Sequence, residues 1–186
     1  MVTVVIGPNG SGKSALAESI ASRHHYARHA GSLIYLATMV PADDAGRRRV
    51  AAHRASRSGA GFVTLEAPTV DLIRTHPGFI TADDVVLLED VSNLVANLLF
   101  GDTDGRSATE QWEWAQARAC ERILALEQAC SDLVSVTIGG LRPESTYDQT
   151  TVEYIGLLNQ INTWLIGRAD QVMTRCVQPD QRDPVV

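Results

Sequence analysis

The sequence predicts an α/β fold in which a mostly parallel β-sheet lies between two layers of helices. Short runs rich in Val, Ile and Leu, without polar alternation, are typical of strands buried on both faces of a parallel sheet. Segments with apolar residues at helical spacing alternate with these runs along the chain. The 186 residues, 45 % of them hydrophobic, suffice for one domain with a buried core.

Six strands and five helices are predicted. The strands occupy residues 2–6, 33–37, 62–65, 85–88, 133–137 and 171–173. The helices occupy residues 14–29, 44–57, 91–100, 107–131 and 150–166.

In the first half of the chain, glycines separate the predicted elements. The first strand is a β-branched run that ends at Gly7, and the helix after it carries apolar residues between Leu16 and Ala21 on one face. Gly31 separates this helix from the second strand. The segment 44–57 is polar and rich in arginine, and it is predicted to be a helix without a wide apolar stripe.

In the second half, two capping boxes indicate where helices begin. Ser107 with Glu110, and Thr150 with Glu153, have the Ser/Thr-x-x-Glu spacing of such boxes. Residues 178–186 are polar and contain two prolines, so they are expected to form a disordered tail. Residues 1–177 are therefore assigned to a single domain.

Composition and charge argue against several classes of function. The net charge of −6 argues against nucleic acid or an anionic membrane as the main partner. No apolar run approaches the roughly 20 residues that cross a bilayer, and the N-terminus lacks the basic segment of a signal peptide. The three cysteines, Cys120, Cys130 and Cys176, show no Cys-x-x-Cys spacing, which favours packed or surface thiols in a reduced, cytoplasmic setting.

The segment at residues 7–14, Gly-Pro-Asn-Gly-Ser-Gly-Lys-Ser, matches the pattern Gly-x4-Gly-Lys-Ser at every fixed position. It follows a predicted strand and opens a predicted helix, where backbone N–H groups and the helix N-terminus can surround phosphates. Lys13, the only lysine in the chain, would contact the terminal phosphates, and Ser14 would hold Mg²⁺. The alternative is a glycine-rich turn that binds no ligand, but such a turn requires neither Lys13 nor Ser14. The sequence thus predicts a P-loop NTPase-type three-layer sandwich that binds ATP and/or GTP with Mg²⁺.

An acidic pair follows the fourth predicted strand. A phosphate-binding loop needs a carboxylate on a neighbouring strand, close to the metal ion. Glu89 is placed to supply it, whereas Asp90 is explained equally well as the cap of the next helix. Transporter-type ATPases have the same amino-acid sequence in this loop, but they also carry a Leu-Ser-Gly-Gly segment that this sequence lacks.

Further pieces, taken in their order and spacing, carry a family resemblance. The second strand resembles a Tyr-Ile-Ala-Thr ending, and residues 49–57 resemble an Arg-Ile-x-x-His-x-x-x-Arg segment. The other matching pieces are Thr64-Leu65-Glu66, Leu87-Leu88-Glu89, Asn97-Leu98-Leu99-Phe100, Pro143-Glu144, Gly156, Asn159-Gln160 and Ala169-Asp170-x-Val172. From the loop to about Val172, the chain resembles the bifunctional adenosylcobinamide kinase / adenosylcobinamide-phosphate guanylyltransferase family of cobalamin biosynthesis.

The resemblance implies roles for residues outside the loop. In this family the histidine that corresponds to His53 attacks the α-phosphate of GTP and carries GMP as a phosphoramidate, and a neutral imidazole is a good nucleophile near pH 7. Arg54 and Arg57 would assist on the phosphates. The predicted site residues are, for catalysis, His53 and Lys13; for nucleotide binding, Gly7, Pro8, Asn9, Gly10, Ser11, Gly12, Lys13, Ser14, Ala37, Thr38, Met39, Arg54, Arg57, Glu66 and Glu89; and for the metal ion, Ser14 and Glu89.

The chain departs from the family pattern in two places. Where the family reads Val-Thr-Asn-Glu-Val-Gly, residues 136–141 read Val-Thr-Ile-Gly-Gly-Leu, and both arginines of the family's Arg-x-Phe-Arg-Asp are absent from residues 149–153. Two alternatives therefore stay open: a divergent P-loop kinase or nucleotidyltransferase with another acceptor, and a nucleotide-binding module without catalysis. The sequence does not decide the acceptor or the preference for ATP over GTP. Family members form trimers, but the sequence leaves the oligomeric state open.

Overall fold

Six parallel strands form the central sheet of the computed structural model, which describes residues 1–29, 31–41, 44, 48, 51 and 59–176. The strands are β1 (Val2–Gly7), β2 (Leu33–Ala37), β3 (Phe62–Glu66), β4 (Val85–Glu89), β5 (Asp132–Ile138) and β6 (Gln171–Thr174). Their order across the sheet is β3-β2-β4-β5-β1-β6, and every neighbouring pair is parallel.

Helices cover both faces of the sheet and produce three layers. They are α1 (Lys13–Arg28), α2 (Leu72–Thr75), α3 (Val91–Phe100), α4 (Ala108–Ala129) and α5 (Gln149–Arg168). On one face, α1 buries Ala17 and Ile20 against side chains of the central strands. On the other face, α3, α4 and α5 bury a larger cluster that includes Leu94, Ile123 and Leu158. The predicted α/β sandwich is confirmed, with a sheet that is entirely parallel.

Burial along the strands follows their position in the sheet. The four central strands β2, β4, β5 and β1 are buried along nearly their whole length, as their unbroken apolar runs predict. The edge strands β3 and β6 are largely exposed. Because all strands are parallel, their carboxyl ends meet at one edge of the sheet, where ligands bind in folds of this kind. The order places β5 between β1, which precedes the glycine-rich loop, and β4, which ends in Glu89.

One of the two predicted capping boxes is confirmed. Ser107 Oγ accepts a hydrogen bond of 3.4 Å from the backbone N–H of Glu110, whose side chain accepts one of 2.8 Å from the N–H of Ser107. The box at Thr150 is wrong, because Asp148 caps α5 by accepting a hydrogen bond of 2.7 Å from the N–H of Thr151.

The remaining differences concern a few segments. The predicted strands and helices agree with the described ones to within about two residues at their ends, a typical uncertainty. The short helix α2 was not predicted. Of the predicted helix 44–57, only residues 44, 48 and 51 are described, and the predicted tail 178–186 lies outside the described residues. Within the described part of the chain, no helix combines the length and the apolarity needed to cross a membrane.

Candidate nucleotide site

Two glycines in left-handed conformation shape the loop between β1 and α1. Gly10 has a φ of 75° and Gly12 a φ of 77°, a region that residues with a Cβ rarely adopt. The N–H of Leu16 bonds the carbonyl of Gly12 at 3.1 Å, so the helix starts directly after the loop. The free N–H groups of this first turn can receive an anion.

Gly7 is required for a different reason, the close approach of another chain segment. A Cβ at this position would lie 2.5 Å from the carbonyl oxygen of Arg175 and 2.9 Å from Ser11 Oγ. Arg175 directly follows β6 and donates its N–H to the carbonyl of Ile6 at 2.8 Å. The loop therefore begins in tight backbone contact with the end of β6.

Ser14 and Glu89 form the polar centre of the site. Ser14 Oγ donates a hydrogen bond of 2.7 Å to Glu89 Oε1. Glu89 Oε2 is buried and has no hydrogen-bond partner within the described part of the chain. Burial and the neighbouring Asp90 carboxylate raise the pKa of Glu89 to about 7, although the bond from Ser14 and the charge of Lys13 act in the opposite direction.

Lys13 supplies the positive charge of this centre. Only 7 % of the residue is exposed. Its ammonium group lies near enough to Glu89 and Asp90 to favour the charged forms of both carboxylates. One cation thus faces two carboxylates, an arrangement that suits a site where phosphates and a divalent ion bind together.

Asp90 caps α3, which confirms the alternative considered for it. Its Oδ1 accepts hydrogen bonds from Ser92 Oγ at 2.6 Å and from the N–H of Asn93 at 2.7 Å. Burial raises the pKa of Asp90. Thr38 Oγ1 accepts a hydrogen bond from the N–H of Asp90 and donates one to its carbonyl oxygen, both at 2.7 Å. Thr38 thereby ties the end of β2 to the start of α3.

These elements surround a cleft of about 700 Å³ at the carboxyl edge of the sheet. The residues lining it are Asn9, Gly10, Gly12, Lys13, Ser14, Ala15, Met39, Glu89, Asp90, Asn93 and Ile138. The cleft thus brings together the loop, the strand end that carries Glu89 and the end of β5. A volume of this size is typical of small-ligand sites.

The other predicted site residues lie around the cleft or away from it. Gly7, Pro8 and Ser11 shape the loop, Ala37 ends β2, and Thr38 is fully buried behind Asp90. Glu66 ends β3 and lines a neighbouring cleft of about 220 Å³ together with Leu65, Leu72, His76 and Phe79. In the sheet register Ala37 pairs with Glu66 on one side and with Glu89 on the other. His53, Arg54 and Arg57 lie outside the described residues.

Four residues that line the cleft are absent from the predicted site residues: Ala15, Asp90, Asn93 and Ile138. Asn93 carries a recognisable signal, since it lies three residues after Asp90, where the first turn of α3 reaches the cleft. Ile138 occupies the position at which the family that the sequence resembles has an asparagine.

Comparison with known proteins gives one family match. Residues 3–177 match the family model described as CobU, cobinamide kinase / cobinamide phosphate guanyltransferase. Among solved structures, the chain is similar to the flagellar accessory protein FlaH from Methanocaldococcus jannaschii, with a TM-score of 0.46 and 12 % sequence identity over 93 % of this chain and 70 % of that chain. No curated protein matches the chain.

Proposed function

The chain belongs to the CobU family of cobinamide kinases / cobinamide phosphate guanyltransferases, and we propose that it carries out both transfers. It would move the γ-phosphoryl group of ATP or GTP to cobinamide, and then GMP from GTP to the cobinamide phosphate. The family consists of transferases of cobalamin biosynthesis that use nucleotide substrates. The observation that carries the proposal for this chain is the contact between Ser14 and Glu89 beside the buried Lys13.

The residues at this contact fit a magnesium ion. Mg²⁺ prefers hard oxygen ligands, and a hydroxyl with one or two carboxylates completes its shell together with phosphate oxygens. Ser14 Oγ and the Glu89 carboxylate are such ligands, and Glu89 Oε2 is a buried acceptor with no donor among the described residues. When bound, the ion would neutralise charge on the phosphates.

For the kinase reaction, the chain's own residues bind and orient the donor. The loop amides and Lys13 hold the β- and γ-phosphates in line with the acceptor hydroxyl. The acceptor oxygen forms a bond to the γ-phosphorus as the bond to the β–γ bridging oxygen breaks. The nucleoside diphosphate leaves with that electron pair, and the hydroxyl proton passes to solvent.

For the guanylyl transfer, His53 is proposed as the carrier. An imidazole nitrogen would form a bond to the α-phosphorus of GTP while the α–β bridging bond breaks, and pyrophosphate would leave with the electron pair. The phosphate of cobinamide phosphate would then displace the imidazole. This step rests on the family resemblance of residues 49–57.

Two incubations test the proposal. Wild-type protein with Mg²⁺, cobinamide and either ATP or GTP is expected to yield cobinamide phosphate, detected by mass spectrometry. With α-labelled GTP it is expected to acquire an acid-labile label that His53→Ala loses. Label that persists in His53→Ala contradicts the role of His53 as the GMP carrier. Nucleotide binding without any transfer contradicts the proposed enzymatic activity.

A second candidate is a kinase with a different acceptor. Ile138, which replaces the family's asparagine, lines the cleft next to the phosphate loop and changes its chemistry there. A thermal shift with GTP but none with cobinamide, together with no transfer to cobinamide, would favour this candidate.

A further inference from the structure

The cleft has a second wall, beyond the glycine-rich loop, Ser14 and Glu89. It consists of Met39, Asp90, Asn93 and Ile138, and we refer to these four residues as the distal wall. They come from the carboxyl ends of β2, β4 and β5 and from the first turn of α3. The wall offers two apolar and two polar side chains to whatever binds next to the nucleotide.

Asp90 presents one carboxylate oxygen to this space. Its Oδ1 is occupied by the bonds from Ser92 and Asn93, which cap the helix. No described residue donates a hydrogen bond to its Oδ2, and this oxygen is accessible to solvent within the described part of the chain. The cap thus fixes the orientation of the carboxylate and leaves one acceptor atom available.

Asn93 also has an unused polar group. Its side-chain amide lines the cleft, is half-buried and has no hydrogen bond to any described residue. Asn97, one turn further along α3, shows the contrast, because its amide donates to the carbonyls of Thr38 at 2.7 Å and Pro68 at 2.9 Å. One asparagine of the helix therefore serves the fold, while the other is left with a free donor and acceptor at the cleft.

We propose that Asp90 and Asn93 form the subsite that binds the part of the corrinoid carrying the acceptor hydroxyl. This inference rests on the proposed kinase function and names the residues that would bind its acceptor. The acceptor hydroxyl of cobinamide lies on an aminopropanol arm that is joined to the corrin side chain by an amide and carries a methyl group. The hydroxyl would donate to Asp90 Oδ2 and the arm's amide would pair with the amide of Asn93. The methyl group would contact Met39 or Ile138. A corrin ring is too large to share a cleft of about 700 Å³ with a triphosphate, so only the arm would enter.

Asn93→Leu with Asn97→Leu as its matched control separates this role from a structural one. Asn93→Leu removes an amide that bonds no described residue, so the melting temperature should stay at the wild-type value. Its KM for cobinamide should rise about 5- to 30-fold, with nucleotide affinity within about twofold. Asn97→Leu should lower the melting temperature, since two carbonyls lose their donors.

A second variant and a truncated ligand test the same subsite. Asp90→Asn keeps the helix cap but presents an amide donor in place of the free oxygen, so kcat/KM for cobinamide should fall at least about tenfold. This fall should exceed any change in nucleotide affinity, which Asp90 also influences through its charge beside Lys13 and Glu89. A corrinoid that lacks the aminopropanol arm should inhibit wild type and Asn93→Leu equally.

The outcomes are distinguishable. An unchanged KM in Asn93→Leu, or a rise accompanied by the same loss of melting temperature as in Asn97→Leu, overturns the subsite and leaves the kinase function standing. Wild-type protein that phosphorylates no corrinoid contradicts the proposed function and this inference with it.

Discussion

Ser14 Oγ donates a 2.7 Å hydrogen bond to Glu89 Oε1, although 75 positions separate the two residues in the chain. Ser14 lies in the first turn of α1 and Glu89 ends β4, with β5 between β4 and β1 in the sheet. The contact is possible because the parallel order brings the three strand ends to one edge. It joins the phosphate loop to the carboxylate that would serve the metal ion.

Removal of the Ser14 hydroxyl should therefore affect nucleotide binding mainly when magnesium is present. We expect Ser14→Ala to weaken Mg²⁺-dependent nucleotide affinity by at least about tenfold, because the hydroxyl proposed as a metal ligand is lost. With EDTA, wild type and variant should bind nucleotide equally weakly. Isothermal titration with and without Mg²⁺ measures this. Ser19→Ala, at an exposed position of the same helix, is the control and should match wild type.

Stability in the absence of metal should depend on pH through Glu89. Its pKa is about 7 in the folded protein against 4.5 ordinarily, so the folded state binds more protons between these values. The contribution of Glu89 to the free energy of unfolding is fully present below about pH 4.5, decreases as the pH rises and is lost above about pH 7. The total change is up to about 3 kcal/mol.

Urea unfolding in EDTA at about pH 5 and about pH 8 measures this contribution, compared with Glu89→Gln. The variant keeps an acceptor for Ser14 but cannot ionise, so its loss of stability between the two pH values should be smaller than that of wild type. Equal losses would show that Glu89 has an ordinary pKa.

Two glycine substitutions should shift stability in opposite directions. Gly7→Ala places a Cβ 2.5 Å from the backbone oxygen of Arg175, so we expect a loss of about 1–3 kcal/mol in the free energy of unfolding. Gly156→Ala lies within α5, where a Cβ meets no atom within 4 Å, and should add about 0.5–1 kcal/mol. Chemical denaturation checks both, and a Gly7→Ala protein as stable as wild type would contradict the described approach of Arg175.

Much of this architecture could be predicted from local patterns. The apolar runs at β1, β2, β4 and β5 indicated buried parallel strands because neighbouring side chains cover both faces of these strands. The order of the strands could not be predicted, since it depends on which helices pack on which face. Glu89 could be predicted as the partner of the loop, because it directly follows a predicted strand. The position of β5 between β4 and β1 became apparent only from the fold.

The missed features depend on three-dimensional context. Asp148 and Thr150 are both acceptable helix caps, and the choice depends on where the preceding loop delivers the chain. Asn93 resembles any polar residue of a helix until the orientation of α3 places it at the cleft.

The start of α5 can be tested directly. Asp148→Ala should lower the melting temperature by a few degrees, because the N–H of Thr151 loses its acceptor. Thr150→Ala should leave it nearly unchanged, since Thr150 does not cap the helix. Thermal unfolding of the two variants would contradict the described cap if Thr150→Ala were the less stable.

A buried polar pair anchors the end of β5 beside the cleft and should behave as a coupled unit. Thr137 Oγ1 donates a 2.6 Å bond to Asn162 Oδ1, and Asn162 Nδ2 donates a 2.9 Å bond to the carbonyl of Ile138. Both side chains are almost fully buried, so each single variant, Thr137→Val or Asn162→Leu, leaves polar atoms unpaired at a cost of about 1–3 kcal/mol.

The double variant removes both partners of the bond and replaces them with apolar groups. Its loss should therefore be smaller than the sum of the single losses, with a coupling of at least about 1 kcal/mol. A double-mutant cycle by urea unfolding measures the coupling. Strictly additive losses would mean that Thr137 and Asn162 do not rely on each other. If the losses are coupled, the residual loss of the double variant reports the bond from Asn162 Nδ2 to the carbonyl of Ile138, which holds the strand end at the cleft.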